Sequence, residues 1–181
     1  MTKALLFDVD GTLLDTQEFI LQAVEHTLAT HGFNAPARLE VTKLIGISLK
    51  KLYNIIEPIA NSELMHKTHS NFQKENIHLC NAFEGVPGVL KKLKQKGYKL
   101  GLVTARHNDT LDLSLTHTKI KEYFDVIISA DDVKDHKPHP EGILKALEIL
   151  KIKPKEAIYI GDSTHDIQSA KLAKVKTVAV T

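Results

Sequence analysis

The sequence predicts an α/β fold: a parallel sheet covered by helices on both faces, with a small all-helical insert after the first strand. Three observations carry this expectation. From about Val86 onward, short uninterrupted apolar runs alternate with helical stretches, the pattern of parallel strands buried on both faces. A similar apolar run opens the chain at residues 3–8. Across residues 16–83 the alternation stops and only helical spacing remains.

Lys3-Ala-Leu-Leu-Phe-Asp8 is too short for a helix and ends in acids before Gly11, so it is read as a buried strand. In the insert, Phe19, Ile20, Ala23, Val24 and Leu28 keep helical spacing, and Leu44, Ile45, Leu49, Leu52, Ile55 and Ile56 do so again. No strand is expected there. Residues 87–96 form a helix that opens on Pro87 and stops at Gly97, the order helices prefer. Strands are then expected at 99–104, 126–129, 157–161 and 177–181. Helices fall between them at 108–116, 140–150 and 166–173. There is no internal repeat and no low-complexity tract.

Composition narrows the classes. A chain of 181 residues, 43% hydrophobic and 25% charged, suits one globular unit carrying an insert and excludes disordered and fibrous classes. That length buries roughly 70% of the unfolded surface, so the fold needs no disulfide or structural metal. The single cysteine, Cys80, excludes a disulfide framework and a Cys-based zinc site and suits a reducing compartment. The opening Met-Thr-Lys-Ala-Leu-Leu-Phe-Asp holds no signal-peptide apolar core. No apolar run approaches the ~18 residues of a membrane span. A cytoplasmic protein with no membrane partner is expected.

The charge balance, 24 Lys+Arg against 22 Asp+Glu, is too even to argue for nucleic acid. Lysines gather at 91, 92, 94, 96 and 99, and at 151, 153 and 155. Val89, Leu90 and Leu93 run between the first group, so a solvated helix face is favoured over a phosphate-backbone patch, and few aromatics stand by to stack bases. Five histidines of the insert (His26, His31, His66, His69, His78) fit no tight metal-ligand spacing and are read as surface or packing residues.

In open parallel sheets, ligands bind beyond the carboxyl ends of the strands. Asp8 and Asp10 close the first expected strand, Thr104 closes the second, Lys137 follows the third, and Asp162 follows the fourth. Each alone has a bland reading: Asp10-Gly11 as a turn, Asp162-Ser163 as a helix cap, Lys137-Pro138 as a loop before a helix. Their joint placement at successive strand ends outweighs these. Packed carboxylates raise one another's pKa or hold a cation, and oxygen-only ligands favour Mg²⁺. The lysine and the hydroxyl then suit a phosphate, and Gly11 lets backbone N–H groups cradle it. Three aspartates and a phosphate dianion exceed the charge of Mg²⁺ and Lys137. The excess calls for backbone N–H donors or a proton on one carboxylate, which is what a general acid needs.

Asp8-Val-Asp10-Gly-Thr-Leu-Leu-Asp15, Val103-Thr104, Lys137-Pro138 and Gly161-Asp-Ser-Thr-His-Asp166 together resemble the four motifs of the haloacid dehalogenase superfamily, in order and over nearly the whole chain. The insert and Phe83-Glu-Gly-Val-Pro-Gly-Val-Leu90 resemble the subgroup that holds phosphoglycolate phosphatase, a bacterial pyrophosphatase and β-phosphoglucomutase. The resemblance implies a Rossmann-like three-layer core at 1–15 and 84–181, without the usual C-terminal strand and helix, and a helical cap at 16–83. It implies Asp8 as nucleophile and Asp10 as acid and base. Mg²⁺ would be held by Asp8, the Asp10 carbonyl and Asp162, with Asp166 supporting that site from behind. Gly11, Thr104, Ala105 and Lys137 would hold phosphate. Dehalogenases of the family lack an acid at the Asp10 position, so C–Cl cleavage is set aside. Thr104 is followed by Ala105-Arg106 rather than the frequent asparagine, which makes Arg106 a candidate substrate contact.

The cap is expected to choose the substrate. Its six Lys+Arg balance six Glu, and Gly46 and Lys50 lie in a stretch resembling a substrate-facing loop; a glycine-punctuated helix start with surface lysines is an equal reading. The expected activity is Mg²⁺-dependent hydrolysis of a small phosphorylated metabolite, phosphoglycolate-like, through an aspartyl-phosphate, in a monomer or weak homodimer. The alternatives are a phosphosugar mutase, an inorganic pyrophosphatase, or a non-catalytic phospho-acceptor.

Overall fold

Four apolar residues, alternating between two faces, make the strand around which the molecule is built. The structure is a computed structural model that describes residues 1–180. The chain runs through β1 (Ala4–Phe7) into a two-residue strand, β2 (Leu14–Asp15). Four helices follow: α1 (Gln17–Thr30), α2 (Arg38–Thr42), α3 (Leu49–Ile56) and α4 (Ser62–Glu75). A second two-residue strand, β3 (Asn81–Ala82), returns antiparallel to β2, with Leu14 opposite Ala82. Helix and strand then alternate: α5 (Val86–Gln95), β4 (Lys99–Val103), α6 (Asn108–His117), β5 (Val126–Ile128), α7 (Glu141–Leu150), β6 (Ala157–Gly161), α8 (Thr164–Leu172) and β7 (Lys176–Ala179).

The five longer strands form one sheet in the order β5-β4-β1-β6-β7, and every pairing in it is parallel. Period-two alternation sends Ala4 and Leu6 of β1 to the face covered by Ile143 and Leu147 of α7 and Ala170 of α8. Phe7 of β1 and Leu100 and Leu102 of β4 face the other way, onto Leu90 of α5 and Leu111 and Leu115 of α6. All are buried, each leucine contributing roughly 1.5–3 kcal/mol of apolar transfer. From β1 the chain builds outward through β4 to β5, then crosses back to β6 on the other side of β1. That reversal opens a crevice at the carboxyl ends of β1, β4 and β6.

Helices α1–α4 pack around an apolar centre of their own, with Ile20, Val24 and Leu28 of α1 against Leu52 and Tyr53 of α3 and Met65 of α4. Asn61 caps α4, its Oδ1 accepting from the N–H groups of Glu63 and Leu64, both at 3.1 Å. The expectation of an insert without strands is corrected at its stem, where β2 and β3 tie the two crossings together. Two-residue strands carry no periodicity and exist only through their pairing. Helix α8 begins at Thr164, two residues before the expected start, because Ser163 caps it. Strand β7 spans Lys176–Ala179; Thr181, the last residue of the expected strand, lies outside the described residues. No helix among the described residues is long and apolar enough to cross a membrane.

Candidate active site

The strand ends converge as expected. Asp8 follows β1 directly, its N–H donating to the Ile160 carbonyl of β6 at 2.9 Å, so the sheet itself fixes its backbone. Lys137 Nζ donates to Asp8 Oδ1 at 2.6 Å and to Asp166 Oδ1 at 2.8 Å. All three side chains are buried. The carboxylate oxygens of Asp8, Asp162 and Asp166 lie within 4.8 Å of one another.

Asp166 owes its place to the start of α8. It is the third residue of a capping box: Ser163 Oγ accepts from the Asp166 N–H, and Asp166 Oδ2 accepts from the Ser163 N–H at 3.0 Å. Its Oδ1 accepts from Lys137 and lies 3.0 Å from the Tyr159 hydroxyl. Both oxygens are thus committed, and Asp166 orients the lysine. Asp162 comes near through Gly11, which sits at φ +79°; a Cβ there would stand 2.3 Å from Asp162 Oδ2. Thr12 Oγ1 donates to the other oxygen, Asp162 Oδ1, at 2.9 Å.

Two buried carboxylates share one ammonium. Burial pushes the Asp8 carboxyl up to about 8, against the pull of Lys137 and with Asp166 and Asp10 adding to the push. Burial also raises Asp166, but Lys137 and the Ser163 hydrogen bonds more than offset it and leave it below the usual carboxylate range. Lys137 is disfavoured as a cation by burial, yet Asp8, Tyr159 and Asp166 hold it well above its ordinary value. Asp162 is raised, chiefly by burial. The cluster is short of positive charge, and its donors are all oxygens. A hard divalent cation fits it. Asp8 Oδ2 and Asp162 Oδ2 accept no protein hydrogen bond among the described residues, so they are the oxygens free to take one.

Asp10, expected as acid and base, is held by a guanidinium and a hydroxyl. Its Oδ1 accepts from Arg106 Nη2 at 2.6 Å and from Thr16 Oγ1 at 2.7 Å, while Oδ2 accepts from Arg106 Nε at 3.2 Å. A carboxylate gripped by a two-pronged guanidinium is an acceptor. Arg106, read from sequence as a substrate contact, is spent on Asp10 and on Ser114 Oγ at 2.5 Å. Thr104 Oγ1 accepts from the Arg106 N–H at 3.1 Å, which leaves its hydroxyl proton to donate.

Asp8, Asp10, Thr104, Ala105, Arg106 and Gly46 all line one cavity of about 50 Å³ between the sheet edge and the helical insert. Lys50 does not: it pairs with Glu63 at 2.5 Å on the surface, so the expectation that it meets substrate is corrected. Its helix presents an apolar face inward, placing lysine outward. The sequence reading missed His69 and Gln73, which line the cavity from α4, and Tyr159, whose buried ring lies 5.5 Å from Lys137 Nζ. A signal for the first two was available: with Met65 they recur every fourth residue on the buried stripe of α4.

The profile of the haloacid dehalogenase-like hydrolases matches residues 5–180. The chain belongs to that family. Among relatives of this hydrolase, pyrophosphatase PpaX of Bacillus cereus (strain B4264) is 38% identical over 178 residues, 98% of this chain and 82% of the relative. A haloacid dehalogenase-like hydrolase from Bacteroides fragilis superposes with a TM-score of 0.93 at 30% identity, covering 100% of this chain and 88% of its own. A phosphoglycolate phosphatase from Lactobacillus plantarum gives 0.86 at 28% identity, covering 98% and 86%.

Proposed function

We propose that this phosphohydrolase cleaves a small phosphate ester or anhydride by transferring its phosphoryl group to Asp8 and then to water. The observation that carries the reading is the Asp8 carboxylate: buried at the edge of the sheet, tied through Oδ1 to Lys137, and lining the cavity that Thr104 and Ala105 also line. Lys137 holds the nucleophile in one rotamer and neutralises charge as phosphorus is attacked. Thr104 Oγ1–H and the Ala105 N–H, which has no backbone partner among the described residues, receive phosphoryl oxygens. Mg²⁺ would be held by Asp8, the Asp10 carbonyl and Asp162, and when bound would neutralise phosphate charge and orient it. Asp10, once it has left Arg106 and taken up a proton from solvent, gives that proton to the departing oxygen, and as a carboxylate it then takes one from the attacking water.

In this reading residues 16–83 act as a cap over a core of 1–15 and 84–181. The cavity limits the leaving group. A water needs roughly 10–15 Å³ on this measure, so about 50 Å³ admits a few heavy atoms. A leaving half as small as a second phosphate or a short acid suits it best. The PpaX relative, at 38% identity, favours pyrophosphate as a specific second reading beside phosphoglycolate.

Phosphate release from pyrophosphate, phosphoglycolate and phenyl phosphate tests the proposal. Asp8→Asn keeps the fold and loses at least about 10³-fold in rate; substantial turnover by that variant removes Asp8 as nucleophile. Chelation abolishes activity and added Mg²⁺ restores it, whereas full activity in EDTA contradicts the metal role.

A further inference from the structure

His69 closes the insert side of the cavity. It is wholly buried on α4, and its ring lines the same space as Asp8, Asp10 and Arg106. Nδ1 lies 2.8 Å from the hydroxyl of Tyr53, which is also fully buried. With the phenol donating to Nδ1, the neutral ring carries its hydrogen on Nε2, the tautomer that the NMR experiment below tests. That Nε2 is buried without a hydrogen-bond partner. Buried polar atoms are nearly always paired, so an orphan nitrogen at a ligand cavity marks a place kept for a ligand atom. Gln73, one turn on, lines the cavity too and makes no side-chain hydrogen bond among the described residues. The rest of the wall from the insert is aliphatic, including Ile20, Ile47 and Leu52.

We propose that His69, with Gln73 beside it, is the specificity-determining contact of the insert, donating Nε2–H to an oxygen on the leaving half of the substrate. The inference rests on the phosphohydrolase reading and deepens it. The chain then selects substrates whose leaving half bears acceptor oxygens, such as a second phosphate or a carboxylate, over plain aryl phosphates. Arg106 cannot serve that half while it holds Asp10, and Lys137 sits behind Asp8, bonded to it and to Asp166.

The test compares wild type, His69→Leu and His69→Gln on phenyl phosphate and on the better of pyrophosphate and phosphoglycolate. In His69→Leu the ratio of kcat/KM values, acceptor-bearing substrate over phenyl phosphate, falls about 10–100-fold, the worth of one hydrogen bond to an anion. His69→Gln, whose amide N–H stands near the lost Nε2–H, restores most of it. An unchanged ratio, equal loss on both substrates, or a glutamine variant no better than leucine overturns the inference. A second readout needs no turnover. Pyrophosphate is titrated into the Asp8→Asn protein while the imidazole N–H is followed by NMR. A proton on Nε2 whose signal moves on titration supports the assignment; a proton on Nδ1, or a signal indifferent to pyrophosphate, sinks it. A wild-type protein that hydrolyses none of the substrates counts against the phosphohydrolase chemistry, and the NMR arm still decides His69.

Discussion

Arg106 and His69 show how much one side chain decides here. Arg106 is buried and Asp10 largely so, and removing one partner leaves a poorly solvated charge unpaired. Arg106→Met is expected to cost about 3–5 kcal/mol, lowering Tm by about 6–20 °C. Arg106→Lys recovers only part, because one ammonium cannot grip both oxygens. A thermal melt with little change would show the pair to be dispensable. His69 adds a pH term of known sign. Burial, with Arg106 and His66 nearby, lowers its pKa from 6.5 to about 3. Above pH 6.5 the ring is neutral in both folded and unfolded chains. Below it the unfolded chain gains a proton that the fold refuses, so stability falls as pH drops from 6.5 towards 3. The slope is about 1.4 kcal/mol per pH unit. Melts of wild type and His69→Gln between pH 7.5 and 5.5 check this: the wild type loses about 1 kcal/mol more over the final unit, where the unfolded ring is at first only half protonated. Parallel profiles refute it.

At the scale of elements, the start of α8 joins folding to chemistry. The capping box that begins the helix also aims Asp166 at Lys137, so Ser163→Ala acts on both. The lost cap costs about 1 kcal/mol. The freed carboxylate loosens the lysine and the metal cluster, with about a 10–100-fold loss of Mg²⁺ affinity, the usual effect of removing an orienting partner. Isothermal titration and a melt separate the two effects, and a stability loss with unaltered Mg²⁺ affinity would detach the cap from the site. Most elements were legible in advance. Strands β1, β4, β5 and β6 are apolar runs between punctuation, and α5 and α7 carry clear stripes. The Ser163-x-x-Asp166 spacing is a capping-box signature in the sequence itself, and it sets the start of α8 two residues ahead of the expected one. The β2–β3 ribbon was not legible: four residues set 66 or more positions apart in sequence acquire a strand's identity only from each other.

For the whole molecule, the governing quantity is the charge imbalance at the sheet edge. With only the shared Lys137 ammonium to offset it, burial pushes the Asp8 carboxyl up to about 8, so at pH 7 it holds a proton that a divalent ion must displace. Binding of Mg²⁺ at pH 7 should release about one proton, and few at pH 9. Titrations in two buffers of different ionisation enthalpy count it directly. No release at pH 7 would mean that Asp8 is already ionised and that the buried excess is neutralised elsewhere.

The order of residues alone settled the parallel α/β core, the helical insert, and the acids, hydroxyl and ammonium that arrive at one edge. Strand periodicity is local, and a parallel sheet sends all its strand ends the same way, so the position of Asp8, Thr104, Lys137 and Asp162 in the chain implies their meeting. Tertiary structure alone decided that Arg106 binds Asp10 across 96 positions of sequence. It also decided that Lys50 turns outward to Glu63, and that His69, expected as a surface or packing residue, is buried at the cavity with Nε2 unpartnered. The reason is burial: what a polar side chain does depends on which partners remain once water is excluded, and helix packing rather than spacing selects them.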